Sequence, residues 1–391
     1  MKKVVVFYPY NTGKMPFSGG VAKVAVSNII ACHLNGYKPY LILPAGNSGL
    51  IQFVKSNYPY CEVKPVPFNA LALFSQTKNK WKRLKLFLNN TIQHISGKQE
   101  LKKILEEIQP DVIHYHETVC YDLLKLYTKC KVVIHIHAYE FVKNRIVRKA
   151  VLHSINKYAD TVIAPTNSIQ ESRSKDIFKP IVKVRTPYLN LSNTEKALDK
   201  KLHDLLLEQK KSHIIFGYVG RICRIKRIDN FLQALVLLPD EKKSLVKYVI
   251  IGGCNTIGDE DYKKELEHFI NKNDLGRNVD FVGYVDPIEA ILPFIDYGAM
   301  LTKSEAMPMV GIEYLRFNIP TLGYDVPGIN DYVIDGVDGF LVKDGDVNDL
   351  ANGICRALDT PPGSFRDNIE NIFKDYSVEK FAEALKEVYF N

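Results

Sequence analysis

The feature that most constrains this chain is a rhythm: runs of four to six β-branched and other apolar residues, each followed by a longer segment with helical spacing. In the first half Val4–Tyr8, Pro39–Leu43, Val112–Tyr115, Val132–Ile136 and Thr161–Ala164 read as strands, and Val21–Asn35 as a helix stopped by Gly36. Strands apolar on both faces must be covered on both, which places them in parallel sheets flanked by helices. The rhythm restarts with strand Ile214–Val219 and helix Ile228–Leu238. Strands Tyr248–Gly252, Asp280–Gly283, Ala299–Thr302 and Thr321–Tyr324 follow, and Val378–Phe390 closes the chain as an amphipathic helix. The expected fold is α/β, with two doubly wound Rossmann-like domains facing a central cleft and ligand at the strand carboxyl ends. The boundaries read as 1–190, a polar hinge at 191–212, a second domain at 213–375, and 376–391 packing back on the first domain.

A chain of 391 residues supports two such cores. Its net charge of +8 is unevenly spread: residues 1–190 hold 28 Lys and Arg against 11 Asp and Glu, the remainder 24 against 33, or +17 and −9. The first half therefore suits an anionic surface or substrate. Seven scattered cysteines with no Cys-x-x-Cys pair suggest a reducing, cytoplasmic setting rather than a disulfide framework. The start, MKKVVVFYPYN, reads as a first strand, and no run reaches the roughly 18 apolar residues of a spanning helix, so membrane contact is expected to be peripheral.

The richest stretch runs from Ser304 to Glu313, after strand Ala299–Thr302. Pro308 suits the first position of a helix, and the amides of Met309, Val310 and Gly311 would then offer an anion site. Glu305 before the helix and Glu313 within it can each accept two hydrogen bonds from hydroxyls. Eight helical residues span about 12 Å, more than the separations of hydrolase acid/base pairs, which favours two binding carboxylates. Ordinary helix capping is the alternative. Gly220-Arg221-Ile-Cys-Arg224-Ile-Lys226-Arg227 sets four cations in seven residues of the acidic half. Arg221 and Lys226 there could neutralise a diphosphate as charge develops on it, or the run is solvated surface. Gly19-Gly20-Val21, between the first strand and helix, lets backbone approach a phosphate or simply turns.

His114/His116 and His135/His137 end two strands, each pair on one face. They are either metal ligands, which would make a metal-dependent hydrolase, or polar strand ends without metal. Asp259-Glu-Asp261 and Asp344-Gly-Asp346 read as loop and capping acids. Lys78 to Leu88 places five cations around Trp81, and Phe141–Lys149 adds Lys143, Arg145, Arg148 and Lys149. As helices these suit an anionic membrane surface, at about 1 kcal/mol per basic residue, or simply pack Trp81 inward. Nucleic acid is not expected, since no reader motif accompanies the charge.

As an ordered set these residues resemble the retaining GT-B glycosyltransferases with a Glu-x7-Glu motif, group 1, typified by bacterial polysaccharide and lipid glycosylating enzymes. The resemblance rests on Gly19-Gly20-Val21, Asp111-Val-Ile-His114-Tyr-His116, His137-Ala-Tyr-Glu140, Ala159 to Thr166, Gly220-Arg221 with Lys226, Glu305 with Glu313, Val326-Pro-Gly328 and Asp335 to Val342. It implies a nucleotide-diphosphate sugar donor, UDP-sugar foremost, and a glycan or lipid-linked acceptor in cell-surface polysaccharide synthesis. By the same resemblance Arg221 and Lys226 grip the diphosphate, with Gly19 and Gly20 approaching it and Met309 and Val310 giving amides to a phosphate. Glu313 takes the ribose and Glu305 the donor sugar, with His137 near sugar and acceptor. No metal or other cofactor is implied, and anomeric configuration is retained. Glu305-Ala-Met-Pro308 stands where many members have Glu-Gly-Phe-Gly, and Glu313-Tyr-Leu-Arg316 where Glu-Ala-Met is common. A non-catalytic, glycosyltransferase-like binding protein is the remaining alternative.

Overall fold

The computed structural model describes residues 1–14, 20–67, 80–137, 144–190 and 198–391, with backbone alone for 80–93 and 120. It divides into two compact units, Met1–Leu189 with Ser377–Asn391, and Asn190–Tyr376.

The first unit holds strands β1 (Lys3–Phe7), β2 (Lys38–Pro44), β3 (Glu62–Val66), β4 (Val112–His116), β5 (Lys131–His135), β6 (Thr161–Ala164) and β7 (Ile181–Lys183). Its helices are α1 (Gly20–Leu34), α2 (Ser48–Asn57), α3 (Lys80–Ile108), α4 (Arg145–Tyr158) and α5 (Asn167–Arg173). The second unit holds α6 (Lys200–Lys210), β8 (Ile214–Val219), α7 (Ile228–Leu237), α8 (Asp240–Lys243), β9 (Val246–Ile251), α9 (Ile257–Lys272), β10 (Val279–Gly283) and β11 (Tyr297–Met300). It continues with α10 (Met309–Arg316), β12 (Thr321–Tyr324), β13 (Gly339–Val342), α11 (Val347–Leu358) and α12 (Arg366–Phe373), and α13 (Val378–Phe390) returns to the first unit.

Both sheets are parallel. The first runs β3-β2-β1-β4-β5-β6-β7 and the second β10-β9-β8-β11-β12-β13. In each, strand order reverses once, between β1 and β4 and between β8 and β11. The crevice beyond the carboxyl ends at such a reversal is where this architecture receives ligands. The loops leaving those four strands are the ones the sequence singled out.

The central strands explain their own burial: Val4 to Phe7 are fully enclosed, as a strand between two helical layers must be. Helix α1 is buried on most of its circumference because α13 covers the face that the sheet does not. Phe381, Ala382, Leu385, Val388 and Tyr389 recur at helical spacing and pack on Val24, Ala31 and Cys32 of α1. Asn35 Nδ2 donates to the Ala382 carbonyl at 2.7 Å. The stretch expected to be a hinge contains α6, capped by Asp199 and seated through Leu206, so the second unit begins before residue 213. Only Leu206 of α6 is buried, and Leu205 and Leu207 lie exposed among its charged residues, which is why its sequence reads as linker.

Candidate functional site

In the second unit, β8 leads into the basic loop across a close backbone contact. A Cβ on Gly252 would lie 1.8 Å from the Gly220 carbonyl oxygen, so the loops leaving β8 and β9 can meet only with glycine there. Tyr218 Oη donates to the Arg221 carbonyl at 2.6 Å and fixes the start of the loop. Residues 224–226 make one helical turn, and Arg227, at φ +50°, turns the chain into α7.

The four cations of this loop have different surroundings. Arg224 pairs with Glu265 and lies over the Tyr262 ring, and Arg227 pairs with Asp344 and lies over Tyr324. Lys226 forms an ion pair with Glu305. Arg221 is exposed, its guanidinium beside the Cys223 sulfur, which raises its pKa further above the ordinary value. Among the described residues it makes no ion pair with an acid. Three of the four charges are therefore matched within the fold, and the loop is less cationic than its composition alone suggests.

Lys226 and Glu305 come together because the segment after β11 runs beside the basic loop. Thr302 Oγ1 and the Lys303 amide both donate to the Ile225 carbonyl, at 3.3 and 3.2 Å. The Glu305 amide donates to the Pro327 carbonyl at 3.2 Å. Gly328, at φ +88°, passes so near that a Cβ on it would lie 2.0 Å from the Glu305 carbonyl oxygen. Two loops thus fix the position of Glu305.

Pro308 caps α10 rather than opening it, and the first helical residue is Met309. The Gly311 amide, expected to be available to an anion, donates instead to the Pro308 carbonyl at 3.0 Å. Met309 and Val310 remain in the first turn, where helix geometry supplies no intrahelical acceptor. Glu313 is buried further along the helix. Tyr314 anchors α10 by donating from Oη to the Gly217 carbonyl at 2.8 Å, its ring lying where a Cβ on Gly298 would stand. The acid pairs at 259–261 and 344–346 include caps: Asp259 closes a capping box with Thr256, and Asp346 accepts the amides of Asn348 and Asp349.

In the first unit Gly20 opens α1, and Gly19 lies outside the described residues. At the carboxyl ends of β4 and β5, four imidazoles gather. His114 stacks on His116 at 4.6 Å and His135 lies against His137 at 4.1 Å, ring centre to ring centre. His116 Nδ1 is 3.0 Å from His137 Nε2, and the His137 amide donates to Glu117 Oε1 at 2.8 Å. Burial holds all four rings neutral: it depresses His114 and His137 to about 3, with the nearby His137 imidazole adding to the effect on His114. It depresses His116 and His135 well below 6.5, their neighbouring imidazoles adding to the effect. Ligand atoms of His114, His116 and His135 lie within 4.8 Å of one another. As a metal trio they fit poorly, because both nitrogens of His116 already have partners, Asn28 Nδ2 and His137 Nε2. Asn28 and Tyr389, which bond this group, carried no signal in the sequence.

Of the basic segments, the backbone from Lys80 onward is helical, while the side chains of residues 80–93 and all of Lys143 lie outside the described residues. Arg148 pairs with Asp176, whereas Arg145 and Lys149 are exposed. Among the described residues, no helix is long and apolar enough to cross a membrane.

Comparison with known proteins divides the chain at the same place. Residues 18–176 match the family profile Glycosyltransferase Family 4, and residues 199–377 match Glycosyl transferases group 1. A Staphylococcus aureus capsular polysaccharide biosynthesis glycosyltransferase, CapM, is 27% identical over 198 residues, 48% of either chain. The alignment with a poly(ribitol-phosphate) alpha-N-acetylglucosaminyltransferase of that species spans only 34% of the relative's length, at 26% identity over 43% of this chain. An Escherichia coli UDP-Gal:alpha-D-GlcNAc-diphosphoundecaprenol alpha-1,3-galactosyltransferase is 23% identical over 74% of this chain and 78% of its own. Among solved structures, Anabaena HepE in complex with UDP superposes with a TM-score of 0.74 at 17% identity, covering 99% of each chain. TarM superposes at 0.71 and 14% identity, over 100% of this chain and 99% of its own.

Proposed function

The chain is a GT-B glycosyltransferase, a Family 4 domain joined to a group 1 domain, and on that premise we propose that it transfers a sugar, with retention, from a nucleotide-diphosphate donor to a glycan or lipid-linked acceptor. The observation that carries this reading is the meeting of Lys226 with Glu305. In a nucleotide sugar the terminal phosphate is bonded to the anomeric carbon. A cation for the phosphate and a carboxylate for the sugar hydroxyls must therefore stand side by side, as these two do. Arg221 and Lys226 would share the diphosphate, Met309 and Val310 would give amides to it, and Glu313 would take the ribose. In the first unit, Gly19 and Gly20 are assigned to the diphosphate and His137 to the sugar.

Cations and a helix N-terminus acting on the departing phosphate supply the stabilisation that a bound metal gives elsewhere. Attack from the face the diphosphate leaves, with the phosphate taking the acceptor proton, retains configuration. The E. coli relative is named for a UDP-Gal donor and a diphosphoundecaprenol acceptor, and HepE was solved with UDP. These support a UDP-sugar and a lipid-linked acceptor, and the capsular polysaccharide relative supports a place in cell-surface polysaccharide synthesis. Lys226→Ala and Glu305→Ala should each lower transfer at least 100-fold, on the order of one lost charge-stabilising contact, while melting within a few degrees of the parent chain. Normal turnover in both variants would refute the assignment. A screen of nucleotide sugars by thermal shift identifies the donor, because a bound ligand raises stability with the logarithm of its concentration over Kd.

A further inference from the structure

The imidazoles at the carboxyl ends of β4 and β5 are tied to α1 and α13 by hydrogen bonds whose direction follows atom by atom. Tyr389 Oη lies 2.8 Å from Asn28 Oδ1 and 2.7 Å from His114 Nδ1. An amide oxygen only accepts, so the phenol donates to Asn28, and the His114 Nδ1–H donates to the phenol oxygen. Asn28 Nδ2, a donor, stands 3.3 Å from His116 Nε2, which is therefore a lone pair, and the His116 proton is on Nδ1. That N–H points to His137 Nε2 at 3.0 Å. His137 accepts there and, being neutral, carries its own proton on Nδ1.

The reverse polarity needs the Asn28 amide turned over, Tyr389 donating to His114, and every proton in this chain of rings moved to the other nitrogen. What separates the two is His114 Nε2, which is buried and has no hydrogen-bond partner among the described residues. In the first arrangement it is a lone pair, and in the reverse one an N–H. A buried N–H without an acceptor is the rarer and costlier orphan. The Cys32 thiol, 3.5 Å from Asn28 Oδ1, adds a second donor to the same oxygen and selects the same polarity.

We propose that Asn28 and Tyr389 are positioning residues that hold His137 in its Nδ1–H tautomer, making it a hydrogen-bond donor to an oxygen of the bound nucleotide sugar. With its lone pair engaged by His116, His137 cannot serve as the general base for the acceptor. Only the identity of the ligand rests on the transfer reading, since the tautomer follows from the network alone. The last helix of the chain thereby takes part in the chemistry of the first unit, through a residue 361 positions from Asn28.

The test is long-range 1H–15N correlation of the full chain with 15N-labelled histidine at pH 7.5, His137 being assigned by the signal lost in His137→Gln. A pyrrole-type Nδ1 and pyridine-type Nε2 at His137 are expected, and the opposite pattern overturns the proposal. Asn28→Asp replaces the donor by an acceptor, so His116 carries a proton on Nε2, and where its ring is neutral the His137 pattern should invert. The His116 signals in the same spectrum report its charge: an unchanged His137 pattern beside a neutral His116 overturns the network, and if the variant does not fold or His116 is doubly protonated the parent spectrum alone decides. Adding UDP-glucose should then shift the Nδ1 signal. If calorimetry shows UDP-glucose bound with His137 unmoved, the ligand assignment is overturned while the tautomer stands. If no nucleotide sugar binds at all, it is the transfer reading that fails.

Discussion

Lowering the pH from 7 to 5 should remove stability from the first unit at a rate set by its buried imidazoles. Burial holds His114 and His137 at about 3, against 6.5 in an unfolded chain. Over this range the unfolded state binds the protons, so the stability is complete above about pH 6.5 and is lost as the pH falls toward 3. For one such histidine the unfolded state gains about 1.9 kcal/mol between pH 7 and 5, so the two together cost about 4 kcal/mol. His116 and His135, also depressed by burial, act in the same direction. Glu117, raised by burial, has the opposite sign. Asp122 is lowered by hydrogen bonds from His94 and Lys98 against its own desolvation, and loses its contribution only below this window. Since a domain is stable by about 5–15 kcal/mol, the loss is a large fraction of the total. Urea titrations at pH 7, 6 and 5, followed by the fluorescence of Trp81, measure it for the first unit. His135→Leu provides the internal control, because both ring nitrogens of His135 lack hydrogen-bond partners among the described residues. The leucine forfeits no hydrogen bond, so it should be neutral or stabilising at pH 7 and flatten the pH slope. A parent chain equally stable at pH 7 and 5, or a His135→Leu slope identical to the parent's, would refute the reasoning.

Leu385→Ala should cost about 2–5 kcal/mol, measured by urea unfolding, because Leu385 is fully buried between α13 and α1. Gly328→Ala adds a Cβ 2.0 Å from the Glu305 carbonyl oxygen at a positive φ, so the backbone that holds Glu305 must shift, and both transfer and Tm should fall. Binding to anionic vesicles should fall as salt rises and on neutralising Lys80, Lys82 and Arg83 together. Vesicle binding indifferent to lipid charge would discard a membrane role for that helix.

The central strands were legible because burial on both faces forces an uninterrupted apolar run, and Thr161–Ala164, Ile214–Val219 and Thr321–Tyr324 coincide with β6, β8 and β12. The strands missed lie at the sheet edges. β3 is half-exposed and carries Pro65, β7 has three residues, and β13 opens with Gly339, whose absent Cβ makes room for the Thr321 backbone. Strand β11 starts two residues before its apolar run because Gly298, a poor strand former, is needed where the Tyr314 ring lies. The histidine pairs were visible, but not the polarity of their bonds, which depends on Asn28 and Tyr389 arriving from helices at opposite ends of the chain.

The uneven charge of the two halves also takes on a different meaning. A surplus of acids around a cationic loop suggested a pocket set against its surroundings, yet Glu265, Glu305 and Asp344 each hold one of its cations. Such pairs add little stability near the surface. Their effect is positional: a lysine held by Glu305 has already lost most of the side-chain freedom that binding a diphosphate would otherwise cost. Arg221, exposed at the start of the loop and without an acidic partner among the described residues, keeps its full charge for an incoming anion. The acidity of the second half therefore works with the loop, by fixing where its positive charges stand.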